Sequence, residues 1–222
     1  MENFEQEYIA SDEAVAPEQE TAPQRKRQRR PNAEKSCLMY LHDLVYLLAV
    51  IVVVFLLCFR VVVVYGTSMN NTLMDGDYVL LLDNALCGDF QYGDIVVASK
   101  ESFESGEPII KRVIAVEGQW VDIDFDAGVV SVGEDLDHMQ SLDEPYTLTD
   151  TNLFEGTDFP LQVEKGCLFV MGDNRNKSKD SRNPQIGQID EREVMGKVLF
   201  LFFPGTNEGE NSRDFGRIGV VS

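Results

Sequence analysis

An uncharged apolar run near the N-terminus restricts what this chain can fold into more than any other feature of its sequence. The run covers 16 residues, 44–59, and four further valines follow Arg60. An α-helix of this length is about 24 Å long, slightly less than the ~30 Å hydrocarbon core of a bilayer. Residues 38–42 can extend such a helix at its start, and the long side chain of Arg60 can reach the far interface. We therefore expect a single N-terminal transmembrane helix that anchors the chain over residues 38–64.

A cleavable signal peptide is the competing explanation of this run. The apolar core of a signal peptide is usually about 7–15 residues long and ends in small residues suited to cleavage. The run here ends in Phe59, Arg60 and a series of valines, which offer no such site. We expect the segment to be retained as an anchor.

The basic residues are distributed unequally about the anchor. Six of them lie within residues 25–35, whereas none other than Arg60 occurs after the run until Lys100. The positive-inside rule relates such an excess to the cytoplasmic side of the membrane. The N-terminus is therefore predicted to be cytoplasmic, with residues 65–222 across the membrane.

Acidic residues dominate the composition of the chain. They outnumber the basic residues by 38 to 19, which gives a formal net charge of -19. Because nucleic acids are bound through basic surfaces, no nucleic-acid partner is expected. The first 24 residues carry seven acids and no base, so residues 1–37 are predicted to be a disordered cytoplasmic tail, first acidic and then basic.

The four cysteines form neither a disulfide framework nor a CxxC metal site. Cys37 and Cys58 lie in or beside the apolar run. Only Cys87 and Cys167 are able to pair, and the sequence leaves open whether they do.

Beyond the anchor, the sequence pattern is that of short β-strands. Seven apolar segments, each bounded by Gly, Asp, Asn or Pro, predict a mainly β domain. Residues 133–164 contain more acids and turn formers, which indicates an inserted minor subdomain. The predicted strands are residues 78–82, 94–98, 109–116, 120–124, 129–132, 167–171 and 197–203.

Ser68 is a candidate nucleophile because of its position. It follows a β-branched run and Gly66, so that a strand should end nearby and present the next side chains at a rim. The alternative is an ordinary turn, since serines are common in turns for local hydrogen-bonding reasons. The nucleophile hypothesis therefore requires a base.

Lys111 is a cation within an apolar strand segment. Strand alternation places it on one face with Ile109 and Val113. A solvated lysine has a pKa of about 10.4 and is almost fully charged at pH 7, whereas burial lowers the pKa by disfavouring the ammonium form. A neutral Lys111 could accept a proton from Ser68. The alternative is a lysine that reaches solvent from an edge strand.

The two histidines of the chain are less suited to act as the base for Ser68. His42 lies before the apolar run, on the cytoplasmic side of the predicted anchor. His138 lies in the acidic segment 133–139, where neighbouring carboxylates favour its charged form. Lys111 therefore remains the candidate base.

Residues 171–182 form a polar loop after the sixth predicted strand. The Asp, Asn and Ser oxygens of this loop could form a calcium-type site. Four cations in the same loop argue against that interpretation, namely Arg175, Lys177, Lys179 and Arg182. We expect no metal site.

Taken together, these segments resemble the type I signal peptidases, the membrane-anchored Ser-Lys proteases that remove signal peptides from exported proteins. The resemblance covers the anchor and a series of short segments in the order in which the family has them. These segments are residues 68–73, 92–97, 110–114, 172–182 and 196–200.

The resemblance implies a role for each matching residue. Ser68 would be the nucleophile and Lys111 the general base. Ser178 would hydrogen-bond to the lysine and orient it, while Asp180 and Arg182 would form a structural ion pair behind it. Neither a cofactor nor a metal is implied.

The resemblance also bears on substrate binding and on the geometry beside Ser68. Met69 would help to line the pocket for the residue before the cleaved bond, and the Ser68 backbone N–H would donate to the oxyanion. Gly66 stands where some family members carry a serine that completes the oxyanion hole, so the second donor is not identified. Asn71 replaces the usual proline, whose ring would fix a φ angle beside the nucleophile.

The implied fold is a coiled, mainly β catalytic domain of signal-peptidase type with a variable β subdomain at about residues 117–166. The implied substrates are signal-peptide-bearing preproteins, cut after small residues at positions -1 and -3 at a lipid bilayer. A self-cleaving repressor-type Ser-Lys protease shares this core, but the membrane span disfavours it. The alternative from another class is a catalytically silent, membrane-anchored β domain that binds exported chains, and Asn71 is the feature that favours it most.

Overall fold

The computed structural model describes residues 33–101, 103, 106–206 and 212–221. The expected tail, residues 1–37, lies outside these residues except for its last five positions, which are helical. The described elements are helix α1 (Ala33–Cys58) and the strands β1 (Phe59–Val63), β2 (Tyr78–Asp83), β3 (Ile95–Ser99), β4 (Pro108–Ala115), β5 (Trp120–Asp124), β6 (Val129–Gly133), β7 (Gln140–Ser141), β8 (Leu161–Gln162), β9 (Cys167–Met171), β10 (Ile189–Asp190), β11 (Val194–Phe203) and β12 (Gly219–Val220).

Helix α1 contains the one segment among the described residues that is long and apolar enough to cross a membrane, Cys37–Cys58, with a mean hydropathy of 2.6. The helix ends at Cys58, whereas the predicted anchor extended to Val64. The residues that follow instead form β1, because this β-branched segment pairs antiparallel with β2. Arg60 consequently lies on a strand, where its guanidinium forms a 2.6 Å ion pair with Asp83.

The chain divides into two compact units, residues 1–46 and 47–222. Within the first, the rings of His42 and Tyr46 pack edge to face with centroids 4.6 Å apart. The second unit contains all of the described strands and every residue of the candidate site.

The larger sheet runs in the order β1-β2-β11-β3-β4-β9-β10, with β12 paired to β11. The long strand β11 lies between β2 and β3 and pairs with both. Each pairing contains at least one register shift, such as that between Val198 and Phe200 in the pairing with β2. All of the pairs are antiparallel. The mainly β class predicted from the sequence is therefore confirmed. Two apolar clusters form the core of this sheet, one around Leu73, Leu81, Val97 and Val198 and the other around Val113, Leu168, Val170 and Ile189.

The smaller sheet has four strands in the order β7-β6-β5-β8 and lies within the range predicted for the variable subdomain. Side chains of β5 alternate, with Val121 and Ile123 buried and the two aspartates exposed, as expected of a sheet with one face in water. The buried face packs on Phe169 of β9. The two sheets therefore share a core.

All four cysteines are free thiols. Cys87 follows a short turn after β2, and Cys167 begins β9. Burial raises the pKa of both thiols above the ordinary value. The disulfide that the sequence left open is not formed in this structure.

Candidate active site

Ser68 and Lys111 are in direct contact. Ser68 lies in the turn after β1, and Lys111 lies on β4. The lysine Nζ is 3.0 Å from the serine Oγ and 3.0 Å from the carbonyl oxygen of Ile110. Only 4 % of Lys111 is exposed to solvent. The fold therefore places an amine that is largely withdrawn from water beside a serine hydroxyl.

The turn that carries Ser68 is closed by backbone hydrogen bonds. Gly66 has φ +83°, a left-handed conformation that glycine adopts without strain. Its N–H donates to Asp75 Oδ1 over 2.8 Å, so this amide is not directed at the cleft. Further along, Leu73 N–H donates to the carbonyl of Met69, whose side chain is buried in the core. These bonds hold the serine at the rim that its sequence position predicts.

The loop at residues 172–182 is bonded to the same turn. The backbone N–H of Asn174 donates to the Ser68 carbonyl and its side-chain amide to the Thr67 carbonyl, each over 3.0 Å. A Cβ on Gly172 would overlap Ser178 Oγ and would lie 2.5 Å from the Ser68 carbonyl oxygen. Glycine is therefore required at position 172 for the loop and the turn to approach each other this closely.

Ser178 lies beside the site without the hydrogen bond that the resemblance implies. Its side chain is buried, and its Oγ has no hydrogen-bond partner among the described residues. The Lys111 Nζ is instead directed at Ser68 Oγ and the Ile110 carbonyl. Ser178 is thus close to Ser68 through Gly172, but it is not bonded to the lysine in this structure.

Asp180 and Arg182 form a fully buried ion pair. Two guanidinium nitrogens of Arg182 lie 2.8 Å from the two carboxylate oxygens, and both side chains have 0 % exposure. Asp180 also accepts from the backbone N–H of Gly172 over 2.9 Å, while Arg182 donates to the Arg175 carbonyl over 2.6 Å. Because these charges are satisfied on several sides, the pair can be tolerated without water. It joins both ends of the loop.

A second buried ion pair was not identified in the sequence. Arg112, beside the lysine on β4, donates to both oxygens of Asp173 over 2.9 and 2.8 Å. Asp173 also accepts a 2.5 Å hydrogen bond from Thr72, in the turn that carries Ser68. Strand alternation puts Arg112 on the face opposite Lys111, but it identifies no partner for it. The available signal was the rule that an arginine buried in an apolar strand needs a carboxylate.

The loop is also bonded to the inserted segment through Arg175, for which the sequence supplied no partner. Arg175 donates to both oxygens of Glu144 over 2.7 and 2.5 Å. The ring of Tyr146 lies 3.9 Å below the guanidinium of Arg112, a cation–π contact. Burial, a hydrogen bond with Tyr92 and the charge of Glu144 raise the pKa of Tyr146 well above its usual value. It therefore remains a neutral donor to Glu144.

The carboxylates of this loop are engaged by arginines. Asp173 pairs with Arg112 and Asp180 with Arg182. The oxygens that a calcium-type site would need therefore accept from guanidinium groups in this structure.

A cleft of about 700 Å³ opens at Ser68 and Lys111. One part of its lining is apolar and comes from β1 with the turn that follows, and from the start of β4. Another part is basic and comes from the loop. The lining residues are Val61 to Met69, Val97, Phe103, Glu107 to Lys111, Lys177 and Lys179.

This chain is similar in sequence to proteins of known family. Residues 37–203 match the family described as signal peptidase, peptidase S26. The chain is 34% identical to signal peptidase I of Bacillus licheniformis over 154 residues, which cover 66% of this chain and 77% of that protein. It is 33% identical to signal peptidase IB of Staphylococcus aureus over 155 residues, 63% of this chain and 75% of that protein. A solved signal peptidase I from Enterococcus faecalis is 26% identical, with a TM-score of 0.38 and coverage of 50% of this chain and 97% of that one.

Proposed function

Because this chain belongs to the signal peptidase family, peptidase S26, we propose that it removes signal peptides from exported proteins with Ser68 as the nucleophile and Lys111 as the general base. The observation that carries this proposal is the 3.0 Å contact between Lys111 Nζ and Ser68 Oγ. A nucleophile and its base must lie within hydrogen-bond reach of each other. The burial of Lys111 favours its neutral form, which a base requires.

The reaction follows from this contact. The neutral Lys111 amine accepts the hydroxyl proton as Ser68 Oγ attacks the carbonyl carbon of the scissile peptide bond. The tetrahedral oxyanion accepts from the Ser68 backbone N–H. Its collapse breaks the C–N bond, and the lysine returns the proton to the leaving amine. Water, deprotonated by the same lysine, then attacks the ester carbon of the acyl-enzyme. The C–Oγ bond breaks, the lysine passes the proton to Ser68 Oγ, and the signal peptide leaves with a new carboxylate.

Two strand edges suit the binding of an extended substrate. Among the described strands, β1 pairs only with β2, and residues 108–111 of β4 pair only with β3, because the pairing with β9 begins at Arg112. A peptide added as a strand to these edges would bond through its main chain. Its side chains at -1 and -3 would point the same way, towards the wall that includes Met69. This geometry favours cleavage after small residues at both positions.

The proposed location is a membrane, crossed once, with a cytoplasmic N-terminus and the catalytic domain on the other side. The excess of basic residues before the apolar helix supports this orientation. Strand β1 follows α1 directly, and Ser68 comes five residues after the end of β1. The nucleophile would thus meet a preprotein where its apolar segment leaves the bilayer. The acidic composition speaks against a nucleic-acid partner.

A catalytically silent binding domain remains the second candidate function. The observation that favours it is Asn71, which replaces a proline beside the nucleophile. Such a domain would bind the exported chain at the same strand edges and leave it intact.

One incubation separates the two functions. The full chain, solubilised in detergent, is mixed with a preprotein that carries an Ala-x-Ala site, and the products are identified by mass spectrometry. We expect a single cut after the second alanine by the unmodified chain and none by Ser68→Ala. Retention of the uncut preprotein by both proteins would support the silent domain.

A further inference from the structure

Two exposed lysines, Lys177 and Lys179, line the cleft that contains Ser68 and Lys111. They flank Ser178, whose side chain is buried, so that both amines face outwards from the loop. Lys179 lies 5.9 Å from the ring of Phe103. The same lysine and phenylalanine also line a second cavity of about 500 Å³. The two cavities therefore adjoin at Phe103 and Lys179.

The ionic environment of these two lysines, here called the lysine pair, differs from that of most other cations in this domain. No carboxylate of a described residue lies within ion-pair distance of either amine. Glu107 is the one carboxylate-bearing residue among the described residues of the cleft lining, and it lies next to the start of β4. The described cations that do have a carboxylate partner include Arg112, Arg175, Arg182, Arg192, Lys197 and Arg217.

The lysine pair is held on a fixed support. Arg175 and Arg182, which stand on either side of the pair in the loop, are both fully buried and bonded to carboxylates. Arg182 also donates to the carbonyl of Arg175. Little backbone ordering is then needed when the amines meet a ligand, which raises the affinity per contact.

The lysine pair is a local positive charge on a chain whose net charge is -19. An overall negative potential repels acidic peptides, so an acidic segment can approach only where local positive charge offsets it. The lysine pair supplies that charge at the edge of the catalytic cleft. Its position beside Ser68 makes the substrate itself the nearest candidate ligand.

The other residues that line the cleft indicate which part of the substrate meets the lysine pair. The apolar part of the cleft, formed by β1 and the start of β4, suits the residues before the scissile bond, because β1 continues directly from the apolar helix. The basic part is left for the residues after the bond. An extended chain advances about 3.3 Å per residue, so the first few residues after the bond stay close to Ser68, in the cleft that the two lysines line.

We propose that Lys177 and Lys179 bind acidic side chains in the first residues after the cleavage site, so that the enzyme prefers preproteins whose mature part begins with Asp or Glu. This inference rests on the proposed function and adds a preference on the side of the substrate that is released as the mature protein. The expected size is that of two solvent-exposed ion pairs, about a threefold to tenfold preference in kcat/KM.

Three preproteins test this preference. They are identical up to the cleavage site and carry Asp-Glu, Ala-Ala or Lys-Lys as the second and third residues after it. Full-length enzyme in a non-ionic detergent is assayed at low salt and at about 1 M salt, where charges are screened beyond ~3 Å. We expect acidic, neutral and basic substrates to rank in that order at low salt and to converge at high salt.

Variants of the lysine pair test whether these two residues cause the substrate preference. Replacement of both residues by glutamate should reverse the ranking, replacement by alanine should remove it, and replacement by arginine should retain it. The matched control is Lys165→Glu, which changes an exposed lysine outside the residues that line the cleft and should leave the ranking as it is. Melting temperatures verify that each variant is folded.

The outcomes distinguish failure of the proposed function from failure of the proposed substrate preference. Cleavage of the Ala-Ala substrate by the unmodified enzyme supports the proposed function, and equal rates on all three substrates would then overturn the inference alone. Failure to cut any substrate would overturn both. If the glutamate variants lost activity equally on all three substrates, and only with vesicles of anionic lipid, the lysines would contact lipid headgroups and the substrate preference would be refuted.

Discussion

The loop at residues 172–182 and the small sheet β5–β8 are held by different kinds of contact. Around the loop, buried arginines donate to carboxylates at distances of 2.5 to 2.9 Å. In the small sheet, apolar side chains such as Val121 and Ile123 pack on Phe169. Charge-assisted hydrogen bonds fix direction as well as distance, whereas apolar packing tolerates small rearrangements. Changes near the loop should therefore alter catalysis, and changes in the sheet should alter stability alone.

The largest expected difference is between the proposed base, Lys111 on β4, and a histidine of the small sheet. Lys111→Ala and Lys111→Arg should each lower kcat roughly 10⁴-fold or more, because neither side chain can accept the Ser68 proton. His138→Ala, between β6 and β7 of the small sheet, should cleave at the normal rate. Initial rates on one preprotein give the comparison. An inactive His138→Ala together with an active Lys111→Ala would end the Ser-Lys assignment.

The sequence carried enough information to predict strands and to single out Ser68 and Lys111 as candidates, for different reasons. Alternation and turn residues mark strands locally, so segments such as 120–124 and 167–171 were predicted with the bounds that the structure shows. Lys111 was singled out because it is a cation in an apolar strand segment, and Ser68 because it follows a β-branched run and Gly66. Each also lies in a segment that resembles a known family.

The partners of the buried arginines could not be predicted in the same way. Arg112 meets Asp173 across 61 positions of sequence, and Arg175 meets Glu144 across 31. Only the pairing of β4 with β9 brings the first two together. The end of the helix was missed for a related reason, since an apolar run does not reveal that its last residues pair with β2. The β-branched valines after Arg60 were the local signal.

Two ion pairs, each between residues two positions apart in sequence, allow a buried pair to be compared with an exposed one. Arg182→Ala or Asp180→Ala removes one partner of a pair with 0 % exposure, so the free energy of unfolding should fall by ~3–5 kcal/mol. Cleavage should also fall, because Asp180 accepts from the backbone N–H of Gly172, which lies beside Ser68.

The control for that experiment is Arg192→Ala. Arg192 pairs with Asp190 at the same interval, but 89% of its side chain is exposed. Water screens this pair, so neither the melting temperature nor the cleavage rate should change. Equal losses in Arg182→Ala and Arg192→Ala would show that burial does not decide the contribution of these pairs.

The close approach of loop and turn should be sensitive to a single methyl group. In Gly172→Ala, the new Cβ would overlap Ser178 Oγ and crowd the Ser68 carbonyl. We expect a loss of ~1–3 kcal/mol in unfolding free energy from overpacking, and up to about a 10²-fold loss in kcat as Ser68 is displaced. Gly219→Ala, where no atom lies within 4 Å of the added Cβ, should match the unmodified enzyme in both measurements.

The smallest expected effect belongs to the small sheet. Val121→Ala removes two methyl groups from a fully buried position on β5, and the resulting cavity should lower the free energy of unfolding by ~1–3 kcal/mol. The rate per folded molecule should stay unchanged, because the site is positioned by hydrogen bonds of the loop. Val129→Ala on the neighbouring strand β6, where the side chain is 38% exposed, should change stability by less than about 0.5 kcal/mol. Denaturant melts and cleavage assays well below the transition measure both quantities. A large loss of kcat in folded Val121→Ala would show that the small sheet positions the nucleophile, and the division between the two regions would then fail.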